Sequence, residues 1–167
     1  TAREYAESIF NYFGFDSVTL SPYLGVDSIE PFISYKGKGV FILCRTSNPS
    51  GAEFQSQKIN NKSYLYESVA VWANSLNKGD NVGLVVGATA PEELSTVRNI
   101  VPDLPLLIPG VGAQGGDLEH SIKVGNSSGI GLINISRSIS FAGDLSESAI
   151  RSSAESFVLR MNKAIHG

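Results

Sequence analysis

One cysteine, one tryptophan, one methionine and two histidines are all the chain holds of those types, and the scarcity excludes several chemistries. Cys44 alone rules out an intrachain disulfide and fits a reducing compartment, so a cytoplasmic location is expected. Cys44, His120 and His166 lie far apart, which leaves a Cys/His zinc cluster without support and only carboxylates as metal ligands. No apolar run reaches the ~18 residues of a membrane span, and no signal-peptide pattern is present. Basic residues neither cluster nor alternate with aromatics. With 13 Lys+Arg against 16 Asp+Glu the net charge is −3, and neither nucleic acid nor a membrane is expected as a partner. Repeats, low-complexity tracts and linkers are missing too. So is an initial methionine: Thr1-Ala2-Arg3 runs straight into a helical pattern, and residues 1–167 are read as one domain or part of one.

What is present begins with an ordinary globular composition, 42% hydrophobic. The stretch around which the chain is organised is Leu104–Asp117, LPLLIPGVGAQGGD. A short apolar run (Leu106, Leu107, Ile108) stops at Pro109. Four glycines follow within seven residues (Gly110, Gly112, Gly115, Gly116), and Asp117 opens a helical pattern. Strand, glycine-rich loop and helix start form a candidate anion site, because glycine lets main-chain N–H groups approach an oxyanion. The next apolar run, Gly131–Ile135, ends in Ser136-Arg137-Ser138. An arginine there, beside the preceding glycine loop, supplies a forked, permanently charged donor suited to phosphate. A structural arginine on a rim is the plainer alternative.

Along the chain, Tyr5, Ile9, Phe10 and Phe13 predict a helix over 2–13 with Gly14 as its stop. A strand over 16–20 follows, then a brief helix over 28–35 capped by Asp27 or Ser28. Val40–Cys44 is a strand apolar on both faces, ending in Arg45-Thr46-Ser47-Asn48-Pro49. Polar residues after a buried strand suit ligand contacts, or equally a turn closed by Ser and Asn. Residues 50–63 read as a polar loop, with Lys58 and Lys62 as surface charges. Tyr64–Leu76 reads as a helix burying Leu65, Val69 and Trp72, and Val82–Val86 as a strand. Pro91, Glu92 and Glu93 mark a helix start that Pro102 ends. His120 is expected to be exposed on the short helix after Asp117. A last helix runs from about 146 to 165 with Ala149, Ile150, Phe157, Val158 and Met161 inward.

Five apolar strands alternating with helices mean a parallel sheet. An open Rossmann-type sheet fits that number. Polar or glycine-rich segments follow every strand, however, and the last two share the phosphate-type signal. The expected fold is therefore α/β, a (β/α)8 TIM barrel of which this chain supplies about the last five strands and their helices. A whole barrel takes ~250 residues, so about three strands at the front are expected to be missing.

With those motifs assembled, the chain resembles the orotidine 5′-phosphate decarboxylase family, in the branch typified by mycobacterial enzymes. The matching stretches are DSVTLSPYLGVDSIEPF (16–32), GVFILCRTSNP (39–49), GLVVGAT (83–89), LLIPGVGAQGGD (106–117) and INISRSI (133–139). The resemblance implies a cofactor-free lyase of pyrimidine biosynthesis that converts orotidine 5′-phosphate to uridine 5′-phosphate and CO₂ as a homodimer. By the same resemblance Ser47 contacts the pyrimidine edge, and Gln114 reaches over the nucleotide to pyrimidine and phosphate. Arg137, with main-chain N–H groups near Ser136, holds the 5′-phosphate, while Pro109, Leu20 and Leu43 line the base pocket. The family's Asp-x-Lys-x-x-Asp-Ile-x-x-Thr motif is absent, although Thr1 matches its closing threonine, which reaches a ribose hydroxyl across the dimer. No catalytic residue is therefore expected in these 167 residues. The array should lie upstream of Thr1, the missing N-terminal part of the barrel should be a partner, and this portion alone should be inactive. The alternatives are a non-catalytic nucleotide- or phosphate-binding fragment and a different barrel enzyme acting on a phosphorylated sugar.

Overall fold

The computed structural model describes residues 1–167. Helix α1 (Ala2–Glu7) widens into a π-helical segment, Ser8–Tyr12, before strand β1 (Ser17–Leu20). Where the spacing predicts one helix over 2–13, Phe13 N–H instead reaches back five residues to Ser8 O at 2.9 Å. That change leaves Phe10 buried while Tyr12 and Phe13 face outward. Two 3₁₀ turns lead to α2 (Glu30–Ile33), shorter than the spacing predicts. Ser28 does not cap it; its hydroxyl turns back to Gly25 O at 2.8 Å.

Strand β2 (Gly39–Arg45) follows, and then α3 (Ala52–Gln55) and a small antiparallel hairpin, β3 (Lys58–Ile59) with β4 (Ser63–Tyr64). The polar stretch over 50–63 is therefore structured rather than a plain loop. Asn60 and Asn61 make its tight reversal possible at φ of 51° and 55°, the left-handed region that asparagine tolerates. The chain continues with α4 (Leu65–Leu76), β5 (Val82–Val86), α5 (Pro91–Ile100), β6 (Leu106–Pro109) and α6 (Leu118–Gly125). It ends with β7 (Gly131–Asn134), α7 (Arg137–Ser140) and α8 (Glu147–His166).

The large sheet runs β1-β2-β5-β6-β7, every neighbour parallel. Spatial order follows chain order without reversal. With right-handed crossovers, all connecting helices then lie on one face. A doubly wound sheet reverses order and covers both faces. This sheet is an arc of a (β/α) barrel, as the sequence predicts.

Alternation along β2 sorts the two faces. Val40, Ile42 and Cys44 are buried toward the helices, while Phe41 and Leu43 point to the concave side. Ala70 and Ala73 of α4, with Leu94 and Val97 of α5, pack against Val82, Leu84, Leu106 and Ile108 in one core. Helix α4 is rotated from its predicted face: Tyr66, Ala70 and Ala73 are fully buried, with Val69 and Trp72 packed at the margin. In α8, Phe157 and Met161 pack inward as predicted, but Val158 is exposed.

Candidate functional site

Because the five strands are parallel, their C-terminal ends share one rim, and the segments leaving them meet there. A cavity of about 220 Å³ on that rim is lined by Ser47, Pro109, Gly110, Val111, Ala113, Gln114, Asn134, Ser136 and Arg137. Ser47 follows β2, Gly110–Gln114 follow β6, and Ser136 and Arg137 follow β7. Five of the six site residues read from the sequence, namely Ser47, Pro109, Gln114, Ser136 and Arg137, thus line one cavity. Thr1, at the start of α1, does not line it. Neither does Leu43. Leu20 is a correction: it pairs in register with Ile42 and packs into the helix-side core, because strand alternation turns it away from the concave face. Asn134 is the one polar lining residue that sequence reasoning missed. It is the last residue of β7, on the face alternation assigns to the interior, and its Oδ1 accepts from Ser136 Oγ at 3.2 Å.

The glycine loop keeps its shape through its own main chain. Gly115 N–H donates to Gly112 O at 2.8 Å, and Gly116 N–H donates to Gly110 O at 3.0 Å. Two glycines are held against Ser47 by close approach. A Cβ on Gly87 would lie 2.6 Å from Ser47 Cα and 2.7 Å from Ser47 N. At Gly110, where φ is +98°, a Cβ would lie 2.9 Å from Ser47 Cβ and 3.0 Å from Gln114 Oε1. Ser47 and Gln114 therefore flank one point above Gly110, brought there from different strands. Meanwhile the N–H groups of Ala113 and Gln114 donate to no main-chain acceptor.

Arg137 is the one charged residue in the lining. It forms no ion pair, in contrast to Arg45, which is held 3.3 Å from Glu93. An unpaired guanidinium, main-chain N–H groups, hydroxyls and an amide in a cavity without a carboxylate can hold an anion with a polar organic portion attached. Below the loop, Asp117 caps α6 as its position predicts, accepting from Glu119 N–H at 2.8 Å and His120 N–H at 3.1 Å. His120 is half-buried rather than exposed, its Nε2 3.4 Å from Pro91 O.

Cys44 offers no nucleophile to the site. It is 2% exposed on the helix side, its Sγ donates to Tyr66 O, and burial pushes its thiol pKa up to about 12. No three His, Cys, Asp or Glu side chains gather as a metal ion would require. No helix is long and apolar enough to cross a membrane.

Comparison with known proteins places this geometry in context. The family described as "Orotidine 5'-phosphate decarboxylase / HUMPS family" matches residues 1–151. The orotidine 5′-phosphate decarboxylase of Natronomonas pharaonis is 54% identical over 145 residues, covering 86% of this chain and 54% of that protein. The enzyme of that name from Dehalococcoides mccartyi is 51% identical over 154 residues, covering 89% of this chain and 57% of the relative. Among solved structures, Leishmania donovani UMP synthase superposes with a TM-score of 0.87 at 40% identity, over 99% of this chain and 37% of that one. The chain spans about half the length of the curated relatives it matches.

Proposed function

The chain belongs to the orotidine 5′-phosphate decarboxylase / HUMPS family, and from that premise we propose that it carries the phosphate- and pyrimidine-holding portion of a decarboxylase that turns orotidine 5′-phosphate into uridine 5′-phosphate and CO₂. In this reading Arg137 and the neighbouring N–H groups hold the 5′-phosphate. Ser47 meets the edge of the base, and Gln114 bridges the two from the glycine loop. Pro109 forms the floor beneath them, and Ser136 adds a hydroxyl. The whole enzyme works as a cofactor-free homodimer in the cytoplasm, with Thr1 reaching a ribose hydroxyl at the dimer contact. The observation that carries the reading is the meeting of Ser47, Gln114 and an unpaired Arg137, from three separate loops, in one cavity.

A decarboxylation of this kind needs charged groups beside the departing carboxylate and a proton donor at the carbon it leaves. Electrostatic stabilisation of that sort is usually the largest catalytic contribution. The 167 residues contain no Asp-x-Lys-x-x-Asp array, so the reading assigns them binding and orientation and predicts no turnover by them alone. Binding energy from a remote phosphate still accelerates the reaction when it orients the reacting ring. Calorimetry with uridine 5′-phosphate and ribose 5-phosphate tests the proposal. Tighter binding of the nucleotide, lost in part with Ser47→Ala, is expected. Equal affinity for both ligands would indicate a generic phosphate site and overturn the pyrimidine assignment.

A further inference from the structure

The hydroxyl of Ser47 sits on an irregular turn, and an irregular turn aims nothing unless other groups hold it. Here side chains from three segments grip the main chain on both sides of it. Gln55, the last residue of α3, closes a two-point clasp on Thr46. Its Oε1 accepts from Thr46 N–H at 2.9 Å, and its Nε2 donates to Thr46 Oγ1 at 2.9 Å. Thr46 Oγ1 then donates to Asn48 Oδ1 at 2.7 Å. Arg45 Nη1 donates to Thr46 O at 2.9 Å, and Arg45 Nε is anchored on Glu93. On the far side, Thr89 Oγ1 donates to Ser47 O at 2.8 Å. The network is tight: a Cβ on Gly51 would lie 2.6 Å from Thr46 Oγ1, 3.0 Å from Gln55 Oε1 and 3.2 Å from Arg45 Nη1.

None of Arg45, Thr46 or Gln55 lines the cavity. The Gln55 amide has one workable orientation, because a flip would set its NH₂ against the Thr46 N–H. Building on the reading of Ser47 as the base contact, we propose that Gln55 is a positioning residue: by fixing the Arg45–Thr46 peptide and the Thr46 side chain, immediately before Ser47, it aims Ser47 Oγ at the base, so that discrimination of the base depends on a residue outside the cavity while the hold on phosphate does not.

Gln55→Met keeps the length of the side chain and removes both hydrogen bonds. It should weaken uridine 5′-phosphate about tenfold, the scale of one lost hydrogen bond. Ribose 5-phosphate should stay within about twofold of its original affinity. In a Ser47→Ala background the same substitution should add nothing, since coupled residues are not additive. Equal weakening of both ligands, or full additivity with Ser47→Ala, overturns the proposal. Amide hydrogen exchange gives a ligand-free reading: Gln55→Met should speed exchange at Thr46 N–H while the β5 amides keep their protection. Unchanged exchange at Thr46 overturns the clasp. If Ser47→Ala alone leaves uridine 5′-phosphate binding intact, the base-contact reading fails instead, and the exchange result still decides whether Gln55 holds the turn.

Discussion

Two arginines sit at opposite ends of the same strands. Arg98 of α5 is 2% exposed and reaches the rim from which β6 and β7 start. Its Nη1 donates to Val101 O, Pro102 O and Leu104 O, and its Nη2 to Gly125 O and Ile130 O, at distances between 2.7 and 3.2 Å. Those carbonyls belong to the end of α5, the loop into β6, the end of α6 and the residue before β7. Arg137 sits at the other rim, exposed, with no ion pair. One guanidinium has its donors satisfied by the fold, except Nε; the other leaves them available. The difference is the division of labour expected of a (β/α) barrel, where the strand-start rim holds the structure and the strand-end rim meets ligands.

The sharpest test of that contrast is to remove each side chain. Arg98→Ala takes a donor from five carbonyls inside a packed region, of which Ile130 O keeps Leu106 N–H and Pro102 O keeps Ser128 Oγ, and should cost about 3–5 kcal/mol of folding free energy. The measurement is a shift in the urea midpoint at unchanged slope. A loss below about 1 kcal/mol would mean that water replaces the guanidinium and that the clasp is ornamental. Arg98→Lys should recover little, since an ammonium cannot fork to two groups of carbonyls.

Arg137→Ala should do the reverse. Folding stability should change by no more than about 0.5 kcal/mol, as for an exposed side chain without partners. Affinity for uridine 5′-phosphate and for ribose 5-phosphate should fall together, by about ten- to a hundredfold, the range for a charged hydrogen bond. If Arg137→Ala destabilised the chain as much as Arg98→Ala, the assignment of the two rims would be wrong.

These arginines also mark what the sequence makes legible. The strands were readable because each is a short apolar run, and their common direction followed from helices between them. Arg137 and the segments that carry Ser47 and Gln114 are readable because they lie just beyond strand ends, where parallel packing must bring them together; Ser47 and Gln114 themselves are singled out by the family resemblance. Arg98 was not. It lies four residues after Leu94, on the apolar face of α5, but a charge there does not say what it meets, and its acceptors, as far along as Ile130, are known only once three loops have met. Gln55 escaped notice for the same reason, since its partner Thr46 is reached only through the turn between β2 and α3. The face of α4 was misjudged because small residues, Ala70 and Ala73, take the closest contact and push larger ones to the margin. Periodicity reports apolar area; it does not report how near a helix can come.

Cys44 extends the contrast from the two rims to the two faces of the sheet. Burial lifts its thiol from 9.0 to about 12. The unfolded chain therefore loses this proton from about pH 9, while the folded chain keeps it. Between those values the folded state binds more protons, so stability falls as pH rises, by about 1.4 kcal/mol per unit from this group. Tyr66, also raised by burial, acts in the same sense. Denaturation at pH 8 and pH 10 should show a smaller decline in Cys44→Ala than in the original chain. Equal declines would place the thiol in contact with water and reopen it as a reactive group.

The smallest effect is the most local. Asp117 is where the ligand rim becomes fold: the glycine loop ends on it, and it caps the first turn of α6 through two N–H groups. Asp117→Ala should cost about 1 kcal/mol, the usual value of a lost cap, and Asp117→Asn almost nothing, because an amide oxygen accepts equally well. The loop's own hydrogen bonds, from Gly115 to Gly112 and from Gly116 to Gly110, do not pass through the Asp117 side chain. Phosphate affinity should therefore be unmoved in both variants while the urea midpoint drops in one. A parallel loss of affinity in Asp117→Ala would show that the loop takes its shape from the helix beneath it, and the two rims would then be less separable than the two arginines make them.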